Sequence, residues 1–405
     1  MDSAEREGLR QKGNVPNLRF SEFEGEWEEK RLSEIADLFK GNGISKEQLT
    51  DTGEPCILYG ELYTKYKSEV IFDIFSKTDI DTRKLVKSKA NDVIIPCSGE
   101  TAVDIATARC VPYDNILLGG DLNIIRLYDC DGSFMSYQLN GKRKYDIAKV
   151  AQGVSVVHLY GDHLKGVKTY NPCLEEQKKI AKLLSLLDER IATQSKIIED
   201  LKKLKCAIID YTIDAIQTDY MEFSEVYDMA GEGGTPSTSN MEYYKNGCVP
   251  FIKIEDLKQK YLVSNKDYIT ELGLHKSSAW LIPANSILFS NGATIGEISI
   301  TTYPVCTKQG ILGIVPKADI DTEYLYYLMS SRYFKKEICR IITEGTMKTA
   351  YLKDINKIRC PIPSKAVQQE IVRIPSALNT KIEIEQCVLD KLICQKQYLL
   401  RQMFI

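Results

Sequence analysis

The 405-residue sequence contains no run of about 18 apolar residues, the length needed to cross a bilayer, so no membrane-spanning segment is expected. Its start, Met1-Asp2-Ser3-Ala4-Glu5-Arg6, lacks the apolar core of a signal peptide, which points to the cytosol. Histidine is scarce, at three residues, and none of the 12 cysteines belongs to a Cys-x-x-Cys pair. Zinc sites need ligands at short, paired spacing. The cysteines are therefore expected to be buried, reduced thiols, and His158 and His163, five apart with no third ligand, to be surface or loop residues rather than a metal site. A basic surplus is also missing. The net charge is −3, and residues 1–171 carry 23 Lys and Arg against 27 Asp and Glu. Any contact with nucleic acid must use local patches or lean on a more basic partner.

Catalytic signatures are absent too. Gripping a flipped amine takes an Asp/Asn-Pro-Pro-aromatic loop, and S-adenosylmethionine takes a Gly-rich turn; neither occurs. Asn171-Pro172-Cys173 keeps half of that loop, without the second proline and the aromatic residue. Ile95-Pro96-Cys97 offers a Pro-Cys pair, the setting of a nucleophilic thiol, but no cofactor turn accompanies it. No Gly-x-x-x-x-Gly-Lys-Ser/Thr phosphate loop occurs. The chain is expected to carry no catalytic residue, no metal and no cofactor of its own.

What the sequence does have is a duplication. Leu32-Ser33-Glu34-Ile35-Ala36-Asp37 matches Phe223-Ser224-Glu225-Val226-Tyr227-Asp228 at an offset of 191. Pro55-Cys56-Ile57-Leu58 matches Pro250-Phe251-Ile252-Lys253 at 195, and Ala90-Asn91-Asp92-Val93-Ile94-Ile95 matches Ala284-Asn285-Ser286-Ile287-Leu288-Phe289 at 194. The last pair reads as a turn feeding a short buried strand. Each such strand runs into a loop of small polar residues, Cys97-Ser98-Gly99-Glu100-Thr101 and Ser290-Asn291-Gly292-Ala293-Thr294-Ile295-Gly296. Gly153-Val154-Ser155 then matches Gly345-Thr346-Met347. A period this long means two copies of a whole domain, not a solenoid.

Each copy passes, near Pro172 and Pro363, into a helix. Apolar residues recur there at alternating steps of four and three: Leu184, Leu187, Ile191, Ile198 and Leu201 in one, Leu378, Ile382, Leu389, Leu392 and Leu399 in the other. That spacing is a coiled-coil seam. Gln194 and Glu385 interrupt both seams at one level, Lys205 and Lys396 at another, and polar seam residues fix register. Pro375 stands where the first helix has Leu184, so the second helix is expected to begin irregularly or near residue 376. About 40 helical residues make a rod of roughly 60 Å. The expected architecture is α+β: two similar α/β domains, residues 1–171 and 217–363, separated by two long helices, residues 172–216 and 364–405, pairing as an antiparallel coiled coil.

Two stretches carry a family resemblance. Asn17-Leu18-Arg19-Phe20-Ser21-Glu22-Phe23 with Gly25-Glu26-Trp27 resembles the start of the specificity subunits of type I restriction-modification enzymes. Pro172-Cys173-Leu174-Glu175-Glu176-Gln177-Lys178-Lys179-Ile180 resembles the Pro-Leu-x-Glu-Gln-x-x-Ile signature that opens their spacer helices. The second copy reads Pro363-Ser364-Lys365-Ala366-Val367-Gln368-Gln369-Glu370-Ile371; it loses the acid before the glutamine, which alters the expected docking surface there. The resemblance implies two target-recognition domains, each reading one half of a bipartite site on double-stranded DNA, and helices that act as a ruler. It also implies two docked methyltransferase subunits and further restriction/translocase subunits, with S-adenosylmethionine, ATP and Mg on those partners.

Direct readout needs hydrogen-bonding side chains on loops that can enter the major groove. Candidates are Ser98, Glu100, Thr101 and the basic turn Lys142-Arg143-Lys144 in the first copy. In the second they are Lys253, Asn291, Thr294, Lys308, Gln309, Lys348 and Thr349. Two other readings stay open on sequence alone, a structural coiled-coil protein and a stand-alone DNA-binding regulator. Salt-dependent DNA binding that requires a methyltransferase partner separates them.

Overall fold

The computed structural model describes residues 13–153, 156–292, 294–342 and 348–405; Val154, Ser155, Ala293, Gly345, Thr346 and Met347 of the repeat, with the first twelve residues, lie outside the described residues. The chain divides into two compact units, Met1–Ser195 with Cys387–Ile405, and Lys196–Gln386. The globular parts give way to helices at Leu174–Ala215 and Lys365–Gln402.

In unit 1 four antiparallel strands lie in the order Ala36–Lys40, Leu122–Leu127, Asp92–Pro96 and Arg109–Val111. Asp92–Pro96 is buried throughout, as a β-branched run between two neighbours should be. A second sheet holds Ser76–Thr78, Glu54–Ile57, Leu117–Leu118 and Val86–Lys87, with Glu54–Ile57 parallel to Leu117–Leu118. Unit 2 repeats this order with Tyr227–Glu232, Ile311–Pro316, Ile287–Ser290 and Ile298–Thr301. Its smaller sheet holds Asp267–Ile269, Val249–Ile252 and Cys306–Thr307, and Val249–Ile252 again runs parallel to its later partner. Unit 2 adds Tyr261–Leu262, parallel to Ile298–Thr301; in unit 1 only the isolated parallel bridge Val70–Cys110 stands there.

The matched Ala-Asn turns owe their asparagine to backbone shape. Asn91 and Asn285 both lie in the left-handed region, at φ +81° and +62°, which asparagine tolerates better than most residues. Across the sheet, Gly132–Asn140 and Thr322–Ser330 are equivalent helices, N-capped by Asp131 and Asp321 through the Phe134 and Tyr324 amides.

Gln177 and Gln368 fasten the long helices to these caps. The Gln177 amide donates to the Pro172 carbonyl (2.9 Å) and accepts from the Asp131 N–H (2.9 Å). Gln368 does the same with Pro363 (2.8 Å) and Asp321 (2.7 Å). Both side chains are buried, at 2% and 1% exposure.

Every apolar seam position named above is buried or half-buried, among neighbours that are mostly exposed. Within unit 1 the helices run antiparallel: Ile180 and Leu184 cluster with Leu399 and Met403, and further along Asp188 meets Lys396. Trp27 closes this end against Phe134 and Phe404, at ring distances of 5.7 and 6.3 Å.

Three expectations are corrected. The second helix starts at Lys365 and runs through Pro375 without a break. Proline removes one N–H and crowds the preceding turn, but Pro375 is buried and Val372, one turn earlier, joins the hydrophobic core of unit 2, which holds this part of the helix in place. The cysteines are all free, yet six are exposed (Cys173, Cys206, Cys248, Cys339, Cys387 and Cys394), most of them on helix faces away from the cores. The acid of the first helix signature is not a docking residue: the Glu176 side chain is 0% exposed and gripped bidentately by Arg19, at 2.8 and 2.7 Å. Its counterpart Val367 is exposed.

Candidate nucleic-acid interface

In both units three equivalent backbone hydrogen bonds gather the loops at one end of the larger sheet. In unit 1 the Cys97 N–H donates to the Asp121 carbonyl (2.7 Å), the Leu159 N–H to Cys97 (2.9 Å) and the Gly119 N–H to Ile57 (2.9 Å). In unit 2 the Asn291 N–H donates to Gly310 (3.0 Å), the Ala350 N–H to Asn291 (3.0 Å) and the Lys308 N–H to Ile252 (2.9 Å). Asp121 and Gly310 both take the left-handed conformation this requires, at φ +58° and +91°. Four loops thus form one surface in each unit, while the side chains on it differ.

Unit 1 presents Ser98 and Glu100 on the wall of a hollow of about 700 Å³, with Tyr59, Tyr63, Asp104 and Arg109. Ser98 Oγ lies 3.3 Å from His158 Nδ1. The Tyr63 hydroxyl donates to the Ser98 carbonyl and holds that strand end. Thr101 caps the short helix Ala102–Ile105 and also hydrogen-bonds the Asp104 carboxylate. Tyr59 is exposed and also borders a second hollow of about 880 Å³, with Lys46, Lys65 and Asp121 on its lining.

The basic turn divides. Lys142 is exposed. Arg143 donates to the Ile405 carbonyl (3.0 Å), pairs with Asp146 (3.2 Å) and covers the Tyr170 ring, so its guanidinium is spent inside the unit. Lys144 is partly buried, and that burial, followed by the charge of Arg109, lowers its pKa. Arg109 is itself shifted down by burial, with Nη atoms on the Ala108 and Tyr66 carbonyls and a buried Nε that has no partner.

In unit 2 the loop bonds bring Lys253, Asn291, Lys308, Gln309, Lys348 and Thr349 to one end, with Thr294 exposed in the same loop as Asn291. Their availability differs. Lys253 is held by Asp267 at 2.8 Å, which raises its pKa. Asn291 is buried and donates to the Ala350 carbonyl. Lys308, Gln309 and Lys348 are exposed, and among the described residues neither lysine forms an ion pair.

Sequence reasoning missed Tyr59, Arg109 and His158. Arg109 carried a usable signal, a lone charge inside the apolar run 105–111; Tyr59 lies on a turn and His158 on the short strand Val157–His158, and the neighbours of both are set only by folding. Among the described residues no cluster of His, Cys, Asp and Glu could hold a metal, and no helix is long and apolar enough to cross a membrane.

Residues 24–203 and 218–393 each match the type I restriction modification DNA specificity domain. The chain belongs to that family. It is 30% identical over 168 residues to the specificity subunit of the type I restriction enzyme MjaIX from Methanocaldococcus jannaschii, covering 41% of this chain and 38% of that one. It is 26% identical over 224 residues to the EcoR124I/EcoR124II specificity subunit from Escherichia coli, covering 52% and 55%. The chain thus matches roughly two-fifths to just over half the length of these curated relatives. The crystal structure of the type I restriction-modification system S subunit from M. genitalium superposes with a TM-score of 0.61 at 19% identity, covering 96% of this chain and 99% of that one. At that identity the likeness speaks for the fold: two family domains with long helices.

Proposed function

We propose that this chain is the non-catalytic, DNA-reading subunit of a cytoplasmic type I restriction-modification complex. The loop end of unit 1 reads one half of a bipartite site and the loop end of unit 2 reads the other. Two methyltransferase subunits and the restriction/translocase subunits assemble on it and bring S-adenosylmethionine, ATP and Mg. The observation that carries this reading is the loop surface built twice on the same three backbone bonds, with different side chains in each copy. Such a pair suits two readers of unlike half-sites. Exposed Lys308 and Lys348 supply cations for phosphates, while Ser98, Glu100 and Gln309 offer groups for base edges. With a net charge of −3, much of the phosphate attraction falls to the partner subunits.

The test is the methylome of cells that express this chain with its partner subunits. Substituting Lys308→Ala, Gln309→Ala and Thr294→Ala together should relax the half-site read by unit 2 and leave the other half intact. Change in both halves, or in neither, overturns the assignment of one loop surface to one half-site.

A further inference from the structure

Away from the loops, unit 1 contains a buried cluster of charges that family membership does not account for. Lys396 of the second long helix bonds Asp188 of the first at 2.6 Å and also bonds Glu69, at the edge of the globular domain. The Tyr137 hydroxyl, from the domain's Gly132–Asn140 helix, donates to the second oxygen of Asp188 at 2.7 Å. The side chains of Lys396, Glu69 and Asp188 are 14%, 10% and 4% exposed. One ammonium thus joins three separate pieces: both helices and the domain. The backbone at Glu69 is fixed as well, since its carbonyl accepts the Cys110 amide and the Ser136 hydroxyl.

A buried ion cluster is a poor source of net stability, because its desolvation offsets most of its attraction. Its best-attested use is to fix register, since sliding any one piece leaves a charge without a partner. Position 69 has a counterpart in unit 2 at Lys260. Lys260 bonds Glu323 (2.7 Å) and Tyr327 (3.1 Å) of its own domain and Ser376 (3.0 Å) of the second long helix. Lys205, the counterpart of Lys396, bonds Asn379, the counterpart of Asp188, at 3.0 Å. The same places are used in both units, but among the described residues only unit 1 uses a single ammonium to bridge domain and both helices.

We propose that Lys396 is a positioning residue for site selection: through Glu69 and Asp188 it fixes the first recognition domain on the helix pair and so restricts the spacer between the half-sites. This rests on the reading of the chain as a reader of bipartite DNA. The register is set here by a charge that cannot be stranded, as well as by helix length.

The experiment uses the full complex and sequences its methylated sites. Glu69→Ala removes the bond from Lys396 to the domain, while Lys396 keeps Asp188 and Tyr137 still bonds Asp188, so this variant is expected to fold and assemble. It should methylate sites whose spacer is one base pair longer or shorter, with discrimination between spacers falling about tenfold, the order expected when one charge-assisted contact is lost. Lys396→Met should do the same or more, and Lys396→Arg should restore the native spacer. Both half-sites should keep their bases. If Glu69→Ala assembles and the spacer preference is unchanged, the proposal is overturned. Altered half-site bases overturn it too, because the cluster would then belong to base reading. A wild-type complex that methylates no bipartite site would instead refute the functional reading beneath it.

Discussion

Replacing Gln177 by methionine keeps the volume of the side chain and removes its amide, so little room opens for water. Two groups then lose their partners inside the protein: the Pro172 carbonyl and the Asp131 N–H. A buried polar group left unpaired costs about 1–3 kcal/mol, so the pair should cost about 2–6 kcal/mol. The loss is local. Asp131 caps the helix Gly132–Asn140, so that helix and the start of the first long helix should open first. A chain of two units has no single unfolding transition to rely on, and hydrogen exchange read by mass spectrometry is the better assay. Peptides over 128–140 should lose protection in Gln177→Met while those over 319–330 keep it. Gln368→Met should give the mirror result. Gln177→Glu should not rescue, because a carboxylate accepts from Asp131 but donates nothing to Pro172. Destabilisation below about 1 kcal/mol, or protection lost equally in both units, would refute the claim that each glutamine anchors one helix to one cap.

Arg19→Met should destabilise unit 1 by about 3–5 kcal/mol in denaturant melts, because it strands a fully buried Glu176. Adding Glu176→Val, the residue type that unit 2 has at this place, should recover most of that loss; no recovery would mean that Arg19 matters for another reason. Burial, then the charge of Glu69, raises the pKa of Asp188, against the pull of Lys396. The folded state therefore holds its proton above the usual aspartate range, and this stabilising contribution, full below that range, is lost as pH rises through the raised pKa. Asp188→Asn should flatten that decline in a pH series of melts; an unchanged slope would clear Asp188 of the effect. Lys348→Ala should weaken DNA binding by the complex equally on all sequences and lower the salt slope by about one. A change confined to certain bases would make Lys348 a base reader.

The repeat, both long helices and the short buried strand after each Ala-Asn turn were legible because the two copies keep one frame of apolar residues and turn asparagines; the order of the strands was not, since pairing joins segments far apart in sequence. Pro375 misled because helix propensity is a local property, and the burial of Pro375 and the packing of Val372 in the unit 2 core are not. The triplet Lys142-Arg143-Lys144 looks like a phosphate clamp on paper. Composition cannot show that Arg143 already holds the Ile405 carbonyl, 262 residues away in sequence. Lys396 and Glu69 are separated by 327 positions, and no spacing rule reaches that far. Gln177 and Gln368 stood in a family signature, but why glutamine is needed appears only once Asp131 and Asp321 are seen beside them.

The three amide-to-carbonyl bonds that gather each loop surface ask nothing of the side chains they carry. Cys97 and Asn291 make the same pair of backbone bonds despite their different chemistry, and Leu159 and Ala350 donate alike. Most exposed groups on these surfaces are therefore exempt from folding duty. A lineage can rewrite them at little risk to the stability of either unit. That exemption separates what the fold requires from what the surface presents.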